Sequence, residues 1–355
     1  MMTGLSGVAP GNSPLSLSLD GVALVENWRW LARKSGGAAC GAAVKADGYG
    51  LGAEGVVRRL SAAGCRDFFV ATWAEAAALA GHVGGARLAV LHGVRDADMA
   101  LARSMAAVPV LNSPEQVQRW KSSGGGECDV MVDTGMNRLG LTPEEATSGL
   151  LDGLAIGTLM SHLASADEDS AQNGEQLRAF RAVADRVPAA RRSLANSAAI
   201  CLGADYGFDL TRPGLALYGG IPRAEAAGWI RPVVTPQAEI LQVRAVPAGA
   251  CVGYNATWQA QRDTRVAIIN LGYADGYLRA FSDRGSAMLG DWSIPVIGRV
   301  SMDLVALALP DGCAAGEGDR VNIAYDLAEC ARLTGLSPYE LLTGLGQRYA
   351  RIWQD

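Results

Sequence analysis

From residue 42 to residue 211, short apolar runs rich in β-prone residues alternate with Ala-rich stretches of helical character. The runs are Ala42–Lys45, Asp67–Thr72, Arg87–Leu91, Val108–Leu111, Asp129–Val132, Leu154–Ser161, Ser193–Asn196 and Phe208–Thr211. Most are followed by Gly, Asn, Asp or Ser. Between them Ala53–Ala63, Ala74–Gly81 and Ser170–Val187 read as helices. Ser113-Pro114 and Thr142-Pro143 place a capping hydroxyl before a proline at the first helical position. Eight such units in a row predict an α/β fold, a parallel (β/α)8 TIM-type barrel. An open doubly wound sheet is the competitor, and it lacks the GxGxxG that would follow its first strand.

The pattern changes near Pro232. Residues 238–246 (AEILQVRAV), 265–272 (RVAIINLG), 292–298 (WSIPVIG) and 303–310 (DLVALALP) are apolar or alternating runs separated by Gly, Pro and Asp. They predict a smaller C-terminal β-rich domain over residues 234–355, with a short helical segment around Ser337–Leu345. The barrel is expected over residues 14–233. Residues 1–13, rich in Gly, Pro and Ser, are expected to form a flexible N-terminal arm.

Composition narrows the function classes. A chain of 355 residues with a net charge of −5 and no basic block is not expected to bind nucleic acid. It has no apolar run long enough to span a membrane, and its start lacks the basic and apolar regions of a secretory signal. The 7 cysteines are scattered without a CxxC pair, which predicts reduced thiols and a cytoplasmic location. His82, His92 and His162 lack zinc-site spacing, so no metal is expected.

The active site of such a barrel lies where the strands end. The residues there are Lys45, Arg138, His162, Asn196-Ser197 and Arg212, polar or ionisable and expected to share one mouth. Lys45 stands out because the chain has only three lysines (Lys34, Lys45, Lys121) and this one ends an apolar strand. Burial should lower its pKa and leave the neutral amine that Schiff-base chemistry needs. From position alone, a strand-end lysine reaching for solvent is equally consistent.

The wider motifs separate these readings. AAVKADGYGLGA (42–53), VDTGMNRLG (132–140), SHLASADE (161–168), ANSAA (195–199), TRPGLALYGG (211–220), VGYNATW (252–258), LGYADGYLR (271–279) and IGRVSMD (297–303) occur in the order found in alanine racemases. The chain resembles that family from about Leu15 onward. The resemblance implies a pyridoxal-phosphate-dependent racemase interconverting L- and D-alanine for cell-wall peptide, with a small amino acid as substrate. Lys45 would be the Schiff-base lysine, and Tyr254 the second base on the opposite face of the α-carbon. Tyr49, Ser197, the backbone N–H groups of Gly214 and Leu215, and Tyr339 would cradle the phosphate. Arg212 would face the pyridine nitrogen and, unable to accept a proton, would leave it unprotonated. His162 would link Tyr254 and Arg212. Arg138 would steer the substrate carboxylate, helped by the Met302 N–H. Tyr273 and Asp303 match the substrate entrance and inner site, while Arg299 and Arg279 fit either an entrance corridor or a solvated surface. A homodimer is implied, with Tyr254, Tyr273 and Met302 entering the partner's site.

One position departs from the pattern. Many members have a carbamylated lysine two residues before the Asp of DTGM, and here Met131 stands there. Arg138 is therefore expected to recruit another acceptor, such as a bound anion, a backbone carbonyl or the Asn137 side chain, the alternative being a mobile side chain that raises the Michaelis constant. Three other functions remain open: a racemase of serine or a wider amino-acid set, a decarboxylase of the same architecture, and a non-catalytic pyridoxal-phosphate carrier. Arg212 and Tyr254 speak against the decarboxylase, and the second domain against the carrier.

Overall fold

The structure, a computed structural model, describes residues 13–355. The expected N-terminal arm lies outside the described residues but for Ser13. The chain divides into two compact units: Ala23–Arg231, and a second made of the segment ending at Val22 together with Pro232–Asp355.

The first unit is built on a seven-stranded parallel sheet. Its strands are Ala42–Ala43, Asp67–Val70, Arg87–Val90, Val108–Leu111, Glu127–Met131, Ala155–Met160 and Arg191–Ser193, paired in chain order. The eighth expected run is shortened to Leu210–Thr211, which pairs in parallel with Ala39–Cys40. Around it, Gly41 and Ala43 N–H groups donate to Thr211 and Pro213 carbonyls at 2.9 Å each. On its other side Asp209 and Arg212 N–H groups reach the Arg192 and Ala195 carbonyls at 3.0 and 2.8 Å. The short eighth run thus bonds to both the first strand and the segment after the seventh.

Helices form where the apolar spacing asks for them. Ala53–Ala63 buries Ala53, Val56, Val57 and Leu60 on one face. The Ser113 and Thr142 hydroxyls accept the N–H groups of Gln116 and Glu145 at 3.3 and 3.1 Å, each cap worth about 1 kcal/mol. Buried Asn27, on the helix Gly21–Lys34, is satisfied by its neighbours: it donates to the Leu217 and Arg231 carbonyls and accepts the Arg231 N–H.

The first unit begins later than residue 14, where the barrel was expected to start. Leu15–Asp20 is a strand of the other unit, because Leu15 pairs antiparallel with Ala238 and Ser16 parallel with Ala350. The second unit holds an eight-stranded sheet, antiparallel but for that last pairing. Val234–Val246, 13 residues long, pairs with Leu15–Asp20, Arg320–Ile323 and Thr264–Ile269, with a bulge between Ile240 and Gln242. Its core gathers Ala238, Ile240, Ala267, Ile269, Ile294, Leu307 and Val321. Two helices, Leu327–Thr334 and Pro338–Thr343, lie between the strand Arg320–Ile323 and the last strand Ala350–Gln354, where one was expected. Among the described residues no helix is long and apolar enough to cross a membrane.

Candidate active site

The first strand stops at Ala43, and Lys45 opens a turn rather than ending a strand. Ala46, Asp47, Gly48 and Tyr49 have φ of 53, 53, 62 and 56°. This left-handed turn costs each non-glycine residue about 1–2 kcal/mol, so surrounding bonds must impose it. Glu75 does so from the helix Trp73–Leu79. Its Oε1 accepts the Ala46 N–H at 2.6 Å, and its Oε2 accepts those of Ala71 and Thr72 at 2.7 and 3.0 Å. Asp47 Oδ1 accepts the Ala53 N–H at 2.9 Å and closes the turn. The result is a half-buried Lys45 whose pKa is lowered by burial and then by the Arg138 charge, against the opposing pull of Glu75.

Four polar groups meet beside this turn. Buried Ser197 Oγ accepts the N–H groups of Gly214 at 2.9 Å and Ala216 at 3.2 Å. The buried Tyr49 ring stacks on Tyr218 at 4.7 Å between centroids. A Cβ at Gly214 would lie 2.3 Å from the Tyr49 hydroxyl, so only glycine admits that hydroxyl over the backbone. Leu215 opens the 3-10 turn Leu215–Tyr218 next to these groups. The expectation named Leu215 as the second N–H donor, and the N–H that shares Ser197 with Gly214 is that of Ala216. Hydroxyls and N–H groups converging at a helical turn suit a dianion, and a phosphate oxygen is a stronger acceptor than the neutral Ser197 hydroxyl.

Arg212 is buried, and its guanidinium donates to the Ser193 hydroxyl and, at 2.6 Å, to the Ser161 carbonyl. Both acceptors are neutral, and Asp129, already bonded to Arg87, acts on it only through space. Burial therefore lowers its pKa to about 10. His162 follows the sixth strand. Its pKa is lowered to about 3 by desolvation, and by the like charges of Arg212, Arg138 and Lys45. An Arg212 cation without a bonded carboxylate cannot protonate and hold a pyridine nitrogen as an acid would, and it suits a ring nitrogen that acts as acceptor.

Arg138 is exposed, and among the described residues its guanidinium makes no hydrogen bond. Neither a backbone carbonyl nor the Asn137 side chain takes it up, contrary to two of the three expected acceptors. Met131 is buried in its strand. What is held is the backbone of the arginine loop, on Asp133.

The other expected residues belong to the β-rich unit. Tyr254 is 64% exposed, in a turn where Gly253, Asn255 and Ala256 have φ of 81, 62 and 49°. Tyr273 and Ala274 N–H groups donate to the Ser301 and Met302 carbonyls, both at 3.0 Å, which laces the Tyr273 turn to the Met302 loop. A Cβ at Gly272 would lie 2.1 Å from the Met302 carbonyl oxygen, so the lacing needs glycine there. Arg279 lies over the Tyr273 ring at 5.3 Å. Asp303 accepts from Arg348 at 2.6 Å, and Arg348 also grips buried Asp275 at 2.6 and 2.8 Å. This bracket on the two loops was not legible: Arg348 sits in no motif, 73 residues beyond Asp275. A Cβ at Gly253 would lie 3.4 Å from the Arg299 N, so the Tyr254 turn packs beside the segment leading to Met302. Tyr339, 44% exposed, lies on the helix Pro338–Thr343. Among the described residues no group of three or more His, Cys, Asp or Glu side chains is placed to hold a metal ion.

Comparison with known proteins covers both units. The family described as "Alanine racemase, N-terminal domain" matches residues 19–222, and "Alanine racemase, C-terminal domain" matches residues 233–353. An alanine racemase of Acidiphilium cryptum is 43% identical over 95% of this chain and 98% of its own. A catabolic alanine racemase of Agrobacterium fabrum is 42% identical, covering 97% of this chain and 93% of its own. The crystal structure of an alanine racemase from Bartonella henselae, with covalently bound pyridoxal phosphate, superposes with a TM-score of 0.88 at 34% identity, covering 96% of this chain and all of that one.

Proposed function

The chain belongs to the alanine racemase family, and from that premise we propose a pyridoxal-phosphate-dependent interconversion of L- and D-alanine with Lys45 and Tyr254 as the two bases. One observation carries the reading. Lys45, His162 and Arg212, at the carboxyl ends of the parallel strands, all have pKa values pushed down, and the guanidiniums of Arg138 and Arg212 bond no carboxylate among the described residues. Such a mouth is prepared for anions.

The phosphate would be held by Ser197, the Tyr49 hydroxyl and the N–H groups of Gly214, Leu215 and Ala216, with Tyr339 completing the cradle. When bound, pyridoxal phosphate supplies the electron sink that makes the α-proton of an amino acid acidic. Arg212 would face the ring nitrogen and give it no proton. Arg138 and the Met302 N–H receive the substrate carboxylate. Lys45, as a neutral amine, takes or returns the α-proton on one face. Tyr254 does the same on the other, and His162 orients it. A proton removed by one base and a proton delivered by the other inverts the centre.

Tyr254 and Met302, 64% and 53% exposed on a single chain, favour a site completed by a second copy. We read the protein as a homodimer in which Tyr254, Tyr273 and Met302 serve the partner's site. The barrel is read as eight-stranded, with Leu210–Thr211 as its last strand. The finer setting, D-alanine supply for cell-wall peptide in a reducing cytoplasm, is part of the proposal. Loss of the gene should then make growth depend on D-alanine.

The test uses two inactive variants. Lys45→Ala and Tyr254→Phe, mixed and allowed to exchange subunits, should recover about a quarter of wild-type racemisation, since half the dimers are mixed and each mixed dimer has one intact site. No recovery after verified exchange contradicts the shared site. A panel of L-amino acids that includes serine should show alanine turned over fastest.

A further inference from the structure

The Asp133 carboxylate gathers four backbone N–H groups. Oδ1 accepts from Gly135 and Met136 at 2.9 Å and from Asn137 at 3.0 Å, and Oδ2 accepts from Arg138 at 2.8 Å. The loop wrapped around it is closed at its base, where Asp133 N–H donates to Leu141 O at 2.8 Å and Leu141 N–H to Met131 O at 2.9 Å. Gly140, with φ of 138°, makes that closure possible, because a Cβ there would lie 2.6 Å from the Asp133 nitrogen. Asn137 completes the turn in the left-handed region at φ 57°. Two glutamines fasten the loop from the helix Ala171–Ala184. Gln172 Nε2 donates to Gly135 O at 3.1 Å, and buried Gln176 Nε2 donates to Thr134 Oγ1 at 3.3 Å and His162 O at 3.1 Å. The loop carrying Arg138 and the segment carrying His162 are thereby tied together.

We infer that Asp133 is the positioning residue for Arg138, fixing through the loop backbone the direction of a side chain that has no hydrogen bond of its own among the described residues. The inference rests on the reading of Arg138 as the substrate-carboxylate ligand. Only an ionised carboxylate can serve all four donors: an amide has one oxygen, and its NH2 would face an N–H group. Burial acts to raise the pKa of Asp133, but the N–H groups outweigh it and hold the carboxyl below its ordinary range. With Met131 in the strand beneath, the loop's own carboxylate takes the part of an organising charge.

Asp133→Asn leaves an oxygen for three of the donors and turns a donor toward Arg138. It should raise the Michaelis constant for L-alanine about tenfold while kcat falls less than about threefold, the signature of weakened substrate placement. Mass-spectrometric hydrogen exchange of the segment 134–140, read on cofactor-free protein, should accelerate about tenfold or more, as the Arg138 amide loses its acceptor and the other three lose a charged one. Asp133→Glu keeps the charge but moves it by a methylene, so it should show both effects more weakly, and it serves if Asp133→Asn does not fold. Faster exchange with an unchanged Michaelis constant, or a fall in kcat alone, overturns the inference. Arg138→Ala is the control: if it leaves the Michaelis constant unchanged, the reading of Arg138 itself is what fails.

Discussion

The two ends of the parallel sheet treat their cations differently. At the end where strands begin, the half-buried arginines Arg87 and Arg191 each have an acid. Arg87 grips Asp129 at 2.6 and 2.7 Å and Glu127 at 2.9 Å, and Arg191 grips Asp67 at 2.6 and 3.0 Å. Burial opposes the Arg87 charge, but the bonds to Asp129 and Glu127 prevail and push its pKa up. Gly157 makes room for this layer, since a Cβ there would lie 2.5 Å from Glu127 and 2.7 Å from Arg87. At the end where strands finish, Lys45, Arg138, His162 and Arg212 stand together, and the pKa shifts of Lys45, His162 and Arg212 run downward. One end is neutralised within the chain and serves stability. The other keeps an excess of positive potential that costs stability until anions arrive.

The largest expected effect lies at the finishing end and concerns chemistry. Lys45→Ala should lower racemisation by a thousandfold or more, on the order of the loss of a general base together with the covalent anchor. Coupled assay of D-alanine formation from L-alanine measures it, and a variant retaining a tenth of the activity would remove Lys45 from the site. At the beginning end the large effect concerns stability. Asp129→Ala leaves Arg87 with Glu127 as its one acid and should cost about 1–3 kcal/mol in urea unfolding, with the folded fraction still able to take up the cofactor. An unchanged urea midpoint would show that the paired layer is decorative.

Legibility differed between these ends for a physical reason. Lys45, His162, Ser197 and Arg212 lie where an apolar run stops, and a polar residue at such a place is visible in one dimension, whereas Tyr49 was named through the motif it shares with Lys45. The left-handed turn after Lys45 was not visible, because Ala46 and Asp47 take that conformation only under bonds from Glu75, which is 29 residues away from Ala46. The Arg191–Asp67 pair joins residues 124 positions apart. Leu15–Asp20 alternates like a strand, yet its membership of the β-rich unit depends on Val234–Val246 and Ala350–Gln354. Local periodicity reports elements and their ends, while pairings across the chain belong to the fold.

A pH experiment sharpens the contrast. In cofactor-free protein His162 stays neutral until about pH 3, desolvation and the neighbouring cations being the cause. The unfolded chain takes up that proton near its ordinary pKa of about 6.5. The folded state therefore binds fewer protons between these values, and stability should fall as pH drops, by about 1.4 kcal/mol per unit at most from this group. His162→Gln should flatten that slope in unfolding curves taken from pH 7 to 5; an unaltered slope assigns it to other groups.

A smaller effect should have the opposite sign to that of Asp129→Ala. Lys45→Met removes a desolvated amine from a cluster of like charges, and should raise the stability of cofactor-free protein by about 1 kcal/mol, the usual gain when a functional strain is relieved. A lower midpoint would mean that the finishing end is balanced after all. The least effect is expected from dissolved carbon dioxide. With Met131 in its strand there is no amine at that place to carbamylate, so degassing and added bicarbonate should change turnover by less than about twofold, while chloride, able to neutralise Arg138, should modulate it.

The contrast comes down to which cation receives the cofactor. Borohydride reduction of the purified holoprotein, followed by peptide mapping, answers this directly. The account predicts pyridoxyl fixed on the peptide containing Val44-Lys45-Ala46, with Lys34 and Lys121 unmodified and the label lost in Lys45→Ala. Label on Lys34 or Lys121, or a racemase that turns over alanine with no reducible linkage at Lys45, would contradict it.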